Sequence, residues 1–169
     1  MLKSTQTVQV TNAAVNPLDV AITAVDPAYT RISAIAGQQF NNESFRIALM
    51  SATNVRFTNF TNSSGNPDFN VNVKLLVEEY LPFFFRQAFH YGVVTLGSGV
   101  VSNSVNTGLT FGPKALLVSL GIDFDFPLPT PYFRSAQLSL SGGIVTALRP
   151  IPHTNTGNLN LGFLIMDPK

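Results

Sequence analysis

Apolar and polar residues alternate with a period of two through most of the chain, which predicts β-strands with one buried face. The runs are rich in β-branched and aromatic residues, and turn-forming residues separate them. We expect eight to ten strands, because some runs are one strand interrupted by a bulge. The candidate segments are 7–11, 18–25, 29–36, 44–50, 54–60, 69–78, 82–95, 108–112, 114–126, 134–141, 143–149 and 158–166.

Glycine and proline mark the connections between these segments. The sequence "SGG" at 141–143 lies between two alternating runs and predicts a tight hairpin. Prolines 127, 129 and 131 in "PLPTPY" favour an extended connection with few backbone donors. The segment "GSGVVSNSVNTG" at 97–108 has the weakest pattern, and we expect a loop that is mobile or ordered by a partner.

The segment "LPFFFRQAFHYG", Leu81 to Gly92, is either a helix or part of a strand. A helix starting at Pro82 and ending at Gly92 would separate its polar and apolar residues. The longer pattern favours two strands, since eleven of the thirteen odd-numbered positions from Phe69 to Val93 are apolar. We place the break near Glu79 and Pro82. This phase predicts four core residues, Phe83, Phe85, Phe89 and Tyr91, and four residues facing outward or towards a neighbour, Phe84, Arg86, Ala88 and His90.

A second long run, "ALLVSLGIDFDFPLP" at 115–129, shows the same alternation. Its apolar residues alternate with small or acidic ones, which predicts one buried and one exposed face. The expected buried residues are Leu116, Val118, Leu120, Ile122, Phe124, Phe126 and Leu128.

Composition indicates how the surface of the protein is used. At 169 residues the chain fits one domain, 1–169. Only 11% of its residues are charged, against about 25% in an average soluble domain. We infer that other subunits cover much of its surface. The basic residues are scattered singly, so no nucleic-acid groove is expected. The first residues contain no secretory signal, so we expect synthesis in a host cytoplasm.

Few residue constellations point to chemistry. Asp123 and Asp125 fall on one face of a predicted strand and are a weak candidate for a Ca²⁺ site, but exposed strand residues are the simpler interpretation. His90 and His153 have neither a metal-ligand spacing nor a G-x-S-x-G motif nearby, and there are no cysteines. We therefore predict a protein that is not an enzyme and has no cofactor, with a small hydrolase using either histidine as the least favoured interpretation.

The whole-chain pattern predicts an all-β, antiparallel sandwich or barrel, most simply a single jelly roll. Segments such as "FNVNVKLLVEEYLPFFF" and "NLNLGFLIMD" are its wall strands. In this pattern and in its low charge, the chain resembles the single jelly-roll capsid proteins of icosahedral bacterial viruses. The resemblance implies a structural virion protein that presents apolar and amide-rich strands to copies of itself, to other virion proteins or to an internal membrane. The alternative is a receptor- or carbohydrate-binding module of a phage spike or fibre.

On this interpretation the functional residues are contact residues. Aromatic and arginine side chains are enriched at protein interfaces. The predicted contacts are Phe84, Arg86 and His90 in the Phe-rich segment, with Tyr132, Phe133 and Arg134 after the proline-rich connection.

Overall fold

The structure is a computed structural model. It describes residues 1–11, 17–35, 45–59, 72–124, 136–149 and 158–169. In this part of the chain there are twelve strands and two short 3-10 turns, Pro27–Tyr29 and Pro82–Phe84. The strands are Leu2–Thr11 (β1), Leu18–Ala21 (β2), Thr30–Ile35 (β3), Phe45–Ser51 (β4), Asn54–Asn59 (β5), Asn72–Tyr80 (β6), His90–Leu96 (β7), Ser102–Asn106 (β8), Leu116–Phe124 (β9), Gln137–Ser141 (β10), Ile144–Leu148 (β11) and Leu159–Met166 (β12).

The strands form three antiparallel sheets, with the orders β1-β6-β3, β10-β11-β8 and β2-β5-β4-β9-β12-β7. The prediction of an all-β antiparallel sandwich is confirmed. The described strands outnumber the expected eight to ten, because most of the candidate runs are separate strands and β8 forms inside the segment 97–108, where a loop was expected. The jelly-roll order of strands stays a prediction.

The core is divided by the six-stranded sheet. One face of this sheet packs against β1-β6-β3 in a first core cluster, and the other packs against β10-β11-β8 in a second. Strand β12 contributes to both, with Leu164 and Met166 in the first cluster and Leu161 and Phe163 in the second. A strand covered on both sides needs apolar residues at nearly every position, which explains the run "LNLGFLIM".

The alternation predicted for 115–129 is interrupted inside β9. The pairing with β12 shifts register near Gly121, whose φ is +97°. The extra residue of this bulge reverses which face the next side chain meets. Leu120 therefore packs in the first cluster and Ile122 in the second, and the exposed Leu116 lies in neither, so the prediction of one buried face is wrong. Phe126 and Leu128 lie outside the described residues.

The hairpin predicted at 141–143 is confirmed, with Gly142 and Gly143 at positive φ between β10 and β11. The segment 97–108 is not one loop, because Ser102–Asn106 forms β8 and pairs with β11. The residues before β8 are held by the buried Arg149, which donates to the carbonyl oxygens of Gly97 and Val100 at 3.0 and 2.8 Å. The strand expected at 108–112 is not formed.

Candidate interaction surfaces

The Phe-rich segment is a turn between two sheets. Pro82 begins the 3-10 turn, where its fixed φ and missing N–H are tolerated, and β7 starts only at His90. The strand predicted over 82–95 is therefore wrong for its first eight residues. The turn also shifts the phase of the pattern, since the buried positions are odd-numbered in β6, such as Leu75, and even-numbered in β7, such as Val94.

Two of the four predicted core aromatics are buried. The Phe85 and Phe89 rings meet nearly edge to face at 4.6 Å between centroids. Tyr29 and Tyr80 complete the group, with ring centroids 5.7 to 6.4 Å from these two phenylalanines. Such arrangements add about 0.5–1.5 kcal/mol per pair beyond the area buried. These four rings close one end of the first core cluster.

The other two predicted core residues differ. Phe83 is 61% exposed, so its assignment to the core is wrong. It lies in the 3-10 turn, through which the strand alternation does not continue. Tyr91 is half-buried, and its hydroxyl donates to the carbonyl oxygen of Thr30. Burial raises the pKa of Tyr91.

The predicted contact residues Phe84, Arg86 and His90 do not share one face. Phe84 is half-buried and packs against the first core cluster. His90 lies in β7, on the edge of the six-stranded sheet, with its ring 6.1 Å from that of Phe163 in the second cluster. Partial burial lowers the pKa of His90. The two side chains thus lie towards opposite sides of the six-stranded sheet.

Arg86 lies beside a buried carboxylate. Its backbone N–H donates to the Asp167 carbonyl at 2.8 Å, and its Nε is 3.9 Å from Asp167 Oδ1. Both carboxylate oxygens of Asp167 accept from the Gly112 amide at 3.1 Å, and Gln87 donates to Oδ2 at 3.4 Å. Asp167 therefore joins the Phe-rich segment to the loop around Gly112. The side chain of Arg86 is 51% exposed and that of Asp167 only 2%.

A second ion pair nearby has the same asymmetry. Lys3 Nζ lies 2.7 Å from Glu79 Oε1, and the side chains are 52% and 5% exposed respectively. Ser4 Oγ and the amide of Asp26 also donate to the Glu79 carboxylate, each at 3.0 Å. Burial acts to raise the pKa of Glu79, but the hydrogen bonds from Lys3, the Asp26 amide and Ser4 outweigh it and hold this pKa below its usual value.

These contacts bring four chain segments, near residues 2, 83, 112 and 168, to one end of the sheets, which we call the Phe83 end. Met1 and Leu2 lie at this end, because the Leu81 amide donates to the Met1 carbonyl at 3.1 Å and Leu2 is opposite Tyr80. Both side chains are exposed. Lys169 lies there too, because its amide donates to the Phe84 carbonyl at 3.0 Å, and its side chain is exposed. Lys114 joins the group, with its Nζ 3.2 Å from the Lys169 carbonyl oxygen.

A different surface is the outer face of the sheet β10-β11-β8, which we call the β11 face. Val145, Ala147 and their neighbours point into the second core cluster, so the alternate residues point outward. In register, the outward rows are Gln137, Leu148 and Ser102; Ser139, Thr146 and Ser104; and Ser141, Ile144 and Asn106. None of these nine residues is charged. Ile144 and Leu148 are 43% and 51% exposed.

Sequence reasoning did not find the β11 face. A signal was present, because residues 87–113 and 135–148 contain no Asp, Glu, Lys or Arg. Locating the face required the pairing of β8 with β11, which the expected loop at 97–108 concealed.

Several predicted residues fall beyond the described segments. Tyr132, Phe133, Arg134, Asp125 and His153 lie outside the described residues, as does the side chain of Asp123, whose backbone in β9 pairs with Asn160. Among the described residues, no three metal-binding side chains form a group that fits a metal ion. No helix in this part of the chain has the length and apolar character needed to cross a membrane. Comparisons with protein-family models, curated proteins and solved structures gave no match.

Proposed function

We propose that the protein is a structural subunit of a virion shell and acts by associating with copies of itself and with other shell proteins. The observation that carries this proposal is the β11 face, a sheet surface with two exposed aliphatic side chains and no charge. The virion context comes from the resemblance of the strand pattern and composition to single jelly-roll capsid proteins.

The chemistry of the β11 face favours burial against protein. Removing Ser, Thr, Asn and Gln side chains from water costs far less than removing charges, and their hydrogen bonds are satisfied more easily. Ser104 and Thr146 already pair at 2.8 Å between their hydroxyl oxygens. In a two-fold contact each residue lies near its own copy or its copy's neighbours, so a face without charge carries no like-charge repulsion.

Repetition compensates for the small size of this face. A three-stranded sheet with five-residue strands offers much less than the roughly 800 Å² per partner of a stable isolated interface. In a closed shell every subunit contacts several neighbours at once, so individually weak contacts combine. Association in dilute solution is therefore expected to be weak and to depend on protein concentration.

Sedimentation velocity over a concentration series tests the proposal. The double substitution Ile144→Lys, Leu148→Lys places two like charges on the β11 face and is expected to hold the protein as a monomer. Ile35→Lys is the matched control, since Ile35 is 39% exposed and belongs to the sheet on the other side of the core. The control should associate like the unmodified protein, and thermal unfolding should show both variants folded. An unmodified protein that stays monomeric throughout, or a double variant that associates equally well, would contradict the proposal.

A further inference from the structure

The Phe83 end presents apolar side chains that the fold holds outward. The Phe83 ring lies 4.2 Å from that of Phe84, which is itself packed against the first core cluster. The neighbouring exposed residues Met1 and Leu2 are fixed by the pairing of β1 with β6 and by the Leu81–Met1 hydrogen bond. Three exposed apolar side chains therefore lie on neighbouring segments of ordered backbone.

At this end the paired negative groups are buried and the paired positive groups are exposed. In both ion pairs the carboxylate, of Glu79 or Asp167, is buried, while the cation, of Lys3 or Arg86, is half exposed. Each carboxylate is held inward by backbone amides, so it does not depend on its cation for orientation. The exposed Lys169 adds a further positive charge.

Other charged groups face the same region. Lys114 is exposed and reaches the Lys169 carbonyl. Asp26 contributes one exposed carboxylate, which accepts from the Ala28 amide at 3.0 Å. The exposed charged groups at the Phe83 end are therefore mainly positive, and they lie beside the exposed apolar side chains.

We infer that the Phe83 end docks on the surface of an anionic lipid bilayer, with Phe83, Met1 and Leu2 entering the headgroup region and the lysines and Arg86 lying among the lipid phosphates. The resemblance to capsid proteins implies contact with an internal membrane only in general terms, whereas this inference rests on the side chains of the Phe83 end and stands without the proposed function.

A bilayer fits this end better than a folded protein partner does. A folded protein partner would need a surface that matches this tip both in shape and in charge. A bilayer needs no complementary shape, because it accepts a few inserted apolar groups and attracts flanking cations at the same time.

Vesicle flotation tests the docking and its charge dependence. The protein should float with vesicles of phosphatidylcholine and phosphatidylglycerol in equal amounts, remain with the soluble fraction when phosphatidylcholine is used alone, and dissociate in about 0.5 M salt, where charges are screened within a few ångströms. Arg86→Gln and Lys169→Gln should each weaken partitioning about fivefold, and Phe83→Ser about tenfold. Lys74→Gln is the charge control, because Lys74 is exposed near the far end of β6 and should have no effect.

A second measurement reports depth directly. The chain has no tryptophan, so Phe83→Trp introduces a single indole at the tip. Lipids brominated on the acyl chain should quench its fluorescence in anionic vesicles. Ile35→Trp is the matched control, since Ile35 pairs with Lys74 at the far end of the sheet and should not be quenched.

Three results would overturn the inference. The first is no binding to either kind of vesicle. The second is equal binding to neutral and anionic vesicles. The third is independence of position 83, seen either as binding that Phe83→Ser leaves unchanged or as quenching that is equal at positions 83 and 35.

Discussion

Replacing Phe83 and Phe85 by alanine, one at a time, distinguishes the observed turn from a continuous strand. Phe85 is 7% exposed and meets the rings of Phe89, Tyr80 and Tyr29 at 4.6, 5.7 and 6.4 Å between centroids. Truncating a buried phenylalanine to alanine costs about 3–5 kcal/mol, and the aromatic pairs that Phe85 forms stabilise the fold beyond the simple transfer of its ring from water. We expect Phe85→Ala to lower the free energy of unfolding by about 4 kcal/mol, a large part of the roughly 5–15 kcal/mol typical of a domain.

Phe83→Ala provides the comparison, because it removes the same atoms from a side chain that is mostly in water. Its cost should stay below about 1 kcal/mol. Urea unfolding followed by circular dichroism gives both values, and an unchanged m-value shows that the two variants unfold from equally compact states. Equal losses of stability for the two variants would mean that Phe83 is buried, as the uninterrupted alternation had predicted, and would refute the turn.

Three further substitutions probe the backbone and the ionisable groups. Gly121→Ala should cost about 3 kcal/mol, because a Cβ there would overlap the carbonyl oxygen of Phe45 at a φ of +97°; thermal unfolding measures it. Lys3→Met should lower stability at neutral pH, because it removes a hydrogen bond that lowers the pKa of Glu79. The lowered pKa of Glu79 stabilises the fold at pH values above the unfolded pKa, and this stabilisation is lost as the pH falls through the folded pKa. Urea unfolding as a function of pH should therefore show less acid-induced loss of stability in the variant. His90→Gln should flatten the stability profile just below pH 6.5, since the lowered pKa of His90 makes the folded state resist protonation and lose stability as pH falls from 6.5 towards the folded pKa.

The fold class and most strands could be predicted because they depend on local patterns. The period-two alternation located strands such as β6, β11 and β12 to within a few residues. The hairpin at Gly142 and Gly143 was predictable for the same reason, since a two-residue loop with positive φ at both positions favours glycine.

The burial of individual side chains was less predictable, because alternation gives the buried face only while the strand is continuous. The turn at Pro82 and the bulge at Gly121 each reset the phase. Phe83 was therefore assigned to the core although it is exposed, and Ile122 was assigned to the same face as Leu120 although the two pack in different clusters. Proline and glycine inside an apolar run were the available signals. They indicate that the phase can change, but not in which direction.

Neither candidate surface can be recognised from one stretch of sequence. The β11 face takes its rows from three strands, one of which lies in a segment with little apolar pattern. The Phe83 end joins residues near positions 2, 83, 112 and 168, and Asp167 becomes important only because it accepts from the Gly112 amide. Contacts between segments so distant in the chain depend on the packing of the sheets.

The two surfaces are oriented so that both can be used by one subunit. The β11 face lies on the flank of the sandwich, with its side chains perpendicular to the sheet. The Phe83 end lies where β1 begins and where β6 and β12 end, so it faces along the strands rather than across them. Contact between flanks would leave the strand ends uncovered, and several copies held side by side would present several apolar tips together. Under the two proposals, each tip alone would bind a bilayer weakly, because a few side chains and single charges contribute little, but linked copies would multiply their affinities. The proposed association and the inferred docking would therefore support each other through geometry, without requiring any change in the fold.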